Sequence, residues 1–176
     1  MQVFWRQGYE GASLSDLTKA MGINRPSLYA AFGDKEALFR KALDRYDNGP
    51  AAYIRQALQE PTARAVAERL LLGAADLQTD PRHPGCLMVQ GALACGDAAD
   101  PVRRELIARR KNGEAAIRRR LQRAKAEGDL PGDADPAGLA LYIATIVRGM
   151  AVEAAGGATR RELRRVVQTA MRAWPG

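Results

Sequence analysis

The run Asn24-Arg25-Pro26-Ser27-Leu28-Tyr29 places a guanidinium, a hydroxyl and a phenol at the start of one short helical pattern. Arg25 can read guanine through a bidentate bond, and Ser27 and Tyr29 can hold phosphate oxygens. Unpaired amides at a helix start add a positive dipole end that favours phosphate. Such a set suits a nucleic-acid duplex if the first turn is held outward. Nothing else in the chain offers comparable chemistry. His83 is the single histidine and sits in a Pro-rich loop without a Cys or Ser nucleophile at recognisable spacing. There is no glycine-rich phosphate loop and no Cys/His metal set, so the reading is a non-enzyme needing neither metal nor cofactor.

The elements around that run can hold it outward. Ser13-Leu14-Ser15-Asp16 has the form of a capping box, and Leu14, Leu17 and Met21 then share one face. Gly22 can take the left-handed conformation that ends this helix. Asn24 is a good N-cap for the next one, Pro26 is tolerated in its first turn, and Ile23 and Leu28 stand at staple spacing. Arg25 and Ser27 then point away from the first turn, while Leu28 and Phe32 face a core. Two short helices joined by a three-residue turn form the layout of a helix-turn-helix. A plain helical corner, with Tyr29 half-buried and Arg25 solvated, fits the same spacing.

The stretch from Gly8 to Leu38, with Leu28-Tyr29-x-x-Phe32-x-x-Lys35-Glu36-x-Leu38 at its end, resembles the DNA-binding domain of the TetR family of bacterial transcriptional regulators. The resemblance implies a homodimer whose paired recognition helices enter successive major grooves of double-stranded operator DNA. On matching positions it implies phosphate contacts from Ser13, Tyr29 and Lys35, with Asn24, Arg25, Pro26 and Ser27 at or near the bases. Two departures stand out: position 12 is Ala where the family commonly has Thr, and only Met1 to Gln7 precede Gly8. The first helix therefore reads as truncated, either because the given start is late or because the missing part is absent; true absence would leave the core under Leu17, Leu28 and Phe32 short of cover.

The chain of 176 residues suits one or two small domains and needs no disulfides for a core; its two cysteines, Cys86 and Cys95, are too few for a scaffold. Strand patterns are nearly absent, and helical spacing recurs at about 62–78, 86–95, 101–127, 136–155 and 159–173. The predicted class is all-α, with a helix-turn-helix domain over 1–47 and a helical ligand-binding and dimerisation domain over 48–176. The apolar run Leu139 to Val152, interrupted by Arg148, reads as too short to cross a bilayer, and no secretory signal opens the chain. The expectation is a cytoplasmic protein without a membrane partner.

The formal charge of +7 does not single out the DNA-binding unit, because residues 1–49 hold seven bases against six acids. Ten bases against three acids lie in residues 101–127, where a solvated helix face is favoured over a second nucleic-acid surface. The last two helices are strongly apolar. Leu139, Ile143 and Val147 on one, with Leu163, Val167, Ala170, Met171 and Trp174 on the other, are the expected dimer interface, with ordinary core as the alternative.

The resemblance also implies a small-molecule inducer site in the body, of unknown ligand. Leu71, Leu77, Met88, Leu121, Tyr142, Ile146 and Met150 could line such a cavity, though Met and Leu at helical spacing also serve as plain core. Cys86, opening a helix after Pro84-Gly85, is a candidate reactive thiol; a small buried hydrophobe is the other reading. It stands nine residues before Cys95, on the opposite face of a continuous helix, so the two should not pair. The function this implies is a ligand-responsive regulator, a repressor released by its inducer. The alternative is a dimer of the same fold with weak DNA binding that pairs with other proteins or binds ligand.

Overall fold

Local capping decides where the first helices begin and end. The computed structural model describes residues 1–82, 85–93 and 100–175, which form ten α-helices and one 3-10 turn, with no strand among the described residues. Helix α1 (Gln2–Gly11) bends at Gly8, whose φ of 70° would strain any side chain. Helix α2 (Leu14–Met21) opens on Ser13: the Asp16 amide donates to the Ser13 hydroxyl at 3.0 Å and the Ser13 amide donates to the Asp16 carboxylate at 3.3 Å. Gly22, with φ 67°, turns the chain out of α2 in the left-handed region. Helix α3 (Arg25–Phe32) opens on Asn24, whose Oδ1 accepts the Ser27 amide at 2.9 Å. Helix α4 (Lys35–Asn48) opens on Asp34, which accepts from the Ala37 amide at 2.7 Å.

A 3-10 turn at Pro50–Ala52 leads into the body: α5 (Tyr53–Ala57), α6 (Ala63–Gln78), α7 (Leu87–Leu93), α8 (Asp100–Ala126), α9 (Pro136–Ala155) and α10 (Arg160–Arg172). Helix α9 packs against α6 and α8, and α10 lies on α6. The helix expected over 86–95 begins at Leu87; Cys95, and with it the predicted separation of the two thiols, lies outside the described residues, as does His83.

Two apolar clusters hold the fold together. One gathers Phe4, Trp5, Leu17, Leu28, Phe39, Leu43 and Tyr46 and continues into the body through Leu87, Val102 and Leu106. Phe4 packs edge-on against Phe39, and Trp5 against Tyr46, with ring centroids 4.9 Å apart in each pair. Leu17 and Leu28 are buried in this cluster with the residues present; Phe32 is half-buried and Met21 exposed. The second cluster joins α6, α8, α9 and α10 through Leu70, Leu71, Leu121, Ile143, Met150 and Leu163, among others.

That second cluster corrects the predicted dimer interface. Ile143, Leu163, Val167, Ala170, Met171 and Trp174 are buried within the chain's own core, and Leu139 and Val147 are half-buried against it. An amphipathic stripe must be covered, and here α6 covers it. The large apolar side chains left outward are Leu141 and Val152 on α9, 51% and 52% exposed, and Val166 on α10, 43% exposed. Tyr142, also outward at 37%, donates its hydroxyl to the Ala170 carbonyl and so ties α9 to α10. Helix α9, at 20 residues, is also long and apolar enough to cross a membrane by length and composition, which corrects the reading of the shorter run. In this fold it is a core helix, and its Arg148 pairs with Glu114 at 2.9 Å.

Candidate nucleic-acid interface and the cavity behind it

Helix α3 is anchored by a single fully buried side chain, Leu28, and everything on its leading turn is exposed: Asn24, Arg25, Pro26 and Ser27, with Tyr29 47% exposed one turn on. The side chains of Arg25, Ser27 and Tyr29 take part in no hydrogen bond or ion pair among the described residues. Asn24 differs, because its amide oxygen is committed to the Ser27 amide and only its NH2 end remains for a partner. These groups form one outward surface at the start of a helix, which is the geometry that groove reading demands.

The expected phosphate contacts sit beside it. Ser13 is exposed at the start of α2, with its hydroxyl donating to Asp16 at 2.6 Å. Lys35, in the first turn of α4, donates from Nζ to the Glu10 carbonyl at 3.3 Å and stands 4.7 Å above the Tyr9 ring. Partial burial pulls the Lys35 ammonium below its ordinary pKa, against the Glu10 carboxylate, which raises it. Lys35 thus ties α4 to α1 while remaining partly exposed. Ala12 is fully buried, so its side chain is part of the core.

Behind this unit, a cavity of about 140 Å³ lies between α4, α5, α6, α8 and α9 and the residues opening α7. Its walls include Ile54, Leu70, Val89, Ile117 and Ile143, with Tyr46, Tyr53, Gln78 and Cys86 as polar members and Arg109, Arg110, Glu114 and Arg148 bordering it. Of the seven residues predicted to line a pocket, only Met88 does so. Leu71, Leu121 and Met150 are buried in the second cluster, Leu77 and Ile146 are half-buried outside the cavity, and Tyr142 is on the outer surface. Apolar spacing marks which face is covered; it does not mark where the cover is incomplete.

Sequence reasoning missed the polar members. Tyr46 belongs to α4, and its hydroxyl lies 3.3 Å from the Cys86 sulfur, an S–O hydrogen bond in which either atom can donate. Burial pushes the phenols of Tyr46 and Tyr53 well above their ordinary range. Cys86 itself is half-buried and precedes α7. Arg109 was read as part of a solvated face. Instead it turns toward α4 and bonds Asp44, Asp47 and Glu105, each at 2.7 Å. Arg120, from the same stretch, is buried and donates to the carbonyls of Glu60 and Pro61. A charged residue looks the same in sequence whether it faces water or clamps a neighbouring helix.

Two family models match the chain: bacterial regulatory proteins of the tetR family over residues 1–42, and the tetracyclin repressor-like C-terminal domain over residues 62–170. The chain belongs to the TetR family. As a TetR-family member it is a DNA-binding transcriptional regulator, not an enzyme. It is 32% identical to the HTH-type transcriptional repressor ComR of Escherichia coli K12, over 99% of this chain and 85% of that one. It is 30% identical to the repressor AcnR of Corynebacterium efficiens, over 96% and 86%. Among solved structures, a cysteine-substituted TetR-family regulator CifR, described with a 26-base-pair operator duplex, is 43% identical. It covers 99% of this chain and 92% of its own, with a TM-score of 0.94.

Proposed function

We propose that this TetR-family regulator represses by binding a near-palindromic operator as a homodimer, and that a small molecule held in the body cavity releases it. The observation that carries the reading is the position of Tyr46. It belongs to the last helix of the DNA-binding unit, packs on Trp5 of that unit, and forms a wall of the cavity. An occupant of the cavity therefore touches the element that carries α3. Ligand shifts the dimer only by its differential affinity for the arrangement whose recognition helices no longer match the groove repeat of about 34 Å.

In this reading Arg25 and Ser27 reach base edges, with Asn24 and Pro26 beside them, while Ser13, Tyr29 and Lys35 hold phosphates. We take the boundary between the two units at 47/48, in the last turn of α4, which runs to Asn48; the two family matches, ending at residue 42 and starting at residue 62, leave room for it. The dimer forms through the outward apolar face of α9 and α10. Cys86, beside the Tyr46 hydroxyl and bordering the cavity, is the candidate reactive thiol. The protein acts in the cytoplasm, where its DNA is.

The test is a salt-dependent mobility shift on the DNA upstream of its own gene. Specific binding that weakens steeply with salt, and that becomes less selective in Arg25→Ala, is the expected outcome. Equal loss of specific and non-specific binding in Arg25→Ala refutes base reading by Arg25. Absence of any shift refutes the operator mechanism and leaves the ligand-binding or protein-pairing dimer.

A further inference from the structure

Gln78, at the end of α6, is 2% exposed, yet only half of its amide is used. Nε2 donates to the Val147 carbonyl at 3.0 Å, which fixes which end of the amide is which. The other end, Oε1, is buried and accepts from no group among the described residues. A buried carbonyl oxygen without a donor is costly and calls for an explanation. Gln78 borders the cavity, and so does Tyr53, whose hydroxyl also makes no hydrogen bond among the described residues.

The charges around the same space are largely neutralised within the protein. Arg109 is satisfied by three carboxylates and Arg148 by Glu114. Arg110 is the bordering cation with no ion pair among the described residues, and it is partly solvated. The volume, about 140 Å³, is close to that of apolar protein cavities known to take a benzene ring.

We propose that the cavity takes a small uncharged molecule, of about one aromatic ring with a short polar substituent, whose O–H or N–H donates to Gln78 Oε1. This rests on the reading of the body cavity as the effector site and adds the chemical class of its occupant. A ligand of the same shape without a donor leaves Oε1 unpaired, as it is before binding, and so binds more weakly by the missing hydrogen bond. A carboxylate places acceptor against acceptor and brings a charge into an apolar space.

Calorimetric titration of the full chain with benzyl alcohol, toluene and benzoate tests this. Benzyl alcohol binding about tenfold more tightly than toluene, and more tightly than benzoate, is expected. Gln78→Met removes the acceptor and abolishes the preference for benzyl alcohol over toluene. Toluene binding as tightly as benzyl alcohol to the unaltered chain overturns the donor requirement but leaves the cavity as an effector site. Tightest binding of benzoate overturns the uncharged class in favour of Arg110 as an anchor. If none of the three binds, the proposal and the effector-site reading fall together. If Gln78→Met does not fold, the three titrations of the unaltered chain still decide the matter.

Discussion

Replacing Arg109 by methionine keeps most of the side chain's reach and removes its charge. Three carboxylates lose their partner, and they are not equally exposed: the Asp44 side chain is 60% exposed, Asp47 33% and Glu105 31%. Asp44 is largely screened by water, and Glu105 is a same-helix pair, so each contributes on the order of 0.5 kcal/mol. Asp47 is left half-buried and unpaired, which costs about 1 kcal/mol more. Arg109→Met should therefore lower stability by roughly 2 kcal/mol, read as a drop of about 5 °C in the melting midpoint.

The pH dependence gives a second reading of the same clamp. Burial is the main influence on Asp47 and raises its pKa above the usual aspartate value, while the Arg109 hydrogen bond pulls it down. Without Arg109 the folded-state value rises further. A carboxyl that is harder to ionise in the folded state costs stability at neutral pH, and that cost is relieved as pH falls through the folded value. The deficit of Arg109→Met should shrink between pH 7 and pH 5. Because Asp44 and Asp47 belong to α4, a loosened clamp should also blur the distance between half-sites. On a duplex selected by this protein from a randomised pool, Arg109→Met should bind up to about tenfold more weakly. It should also discriminate less against the same duplex with one base pair inserted at its centre. A variant that melts within about 0.5 kcal/mol of the parent and keeps full spacing discrimination refutes the reasoning.

Lys35→Ala should weaken binding to all duplexes and flatten the salt dependence by about one ion, measured by anisotropy across a salt series. Val152→Glu combined with Val166→Glu puts charges on the outward face of α9 and α10 and should give a monomer by light scattering. Gly73→Ala drives a methyl into the Tyr53 ring, so it should cost about 1–3 kcal/mol in a denaturant melt and reduce benzyl alcohol binding. Cys86→Ser should abolish cavity-directed labelling by iodoacetamide, seen by mass spectrometry, while leaving operator affinity in the absence of ligand within about twofold, since Tyr46 keeps a hydroxyl partner.

What was legible in the sequence follows from how locally each feature is determined. The caps at Ser13 and Asn24 and the turn at Gly22 depend on three or four consecutive residues, and the structure places all three as their chemistry requires. The expected span 136–155 matches α9, which opens on Asp135 with Pro136 in its first turn and ends at Gly156. The stripe on α10, expected at the dimer interface with ordinary core as the alternative, is covered by α6 of the same chain, because periodicity carries no information about the partner. The cavity escaped for a related reason: Tyr46, Tyr53 and Gln78 come from three helices, and each alone looks like ordinary helix filler. Arg109 was lost among ten basic residues of one long segment, since only the approach of Asp44 and Asp47 from α4 distinguishes it.

The cluster that begins at Phe4 does not stop at the end of α4. Leu87, Val102 and Leu106 complete it from far along the chain, and α7 lies directly on α1. A reading head cut out at residue 47 would lose the floor it stands on. Anyone exchanging this head for that of another regulator, to redirect a sensor to a new promoter, must carry the facing seam of α7 and early α8 across with it. The same continuity means that heat should melt head and body as one cooperative unit.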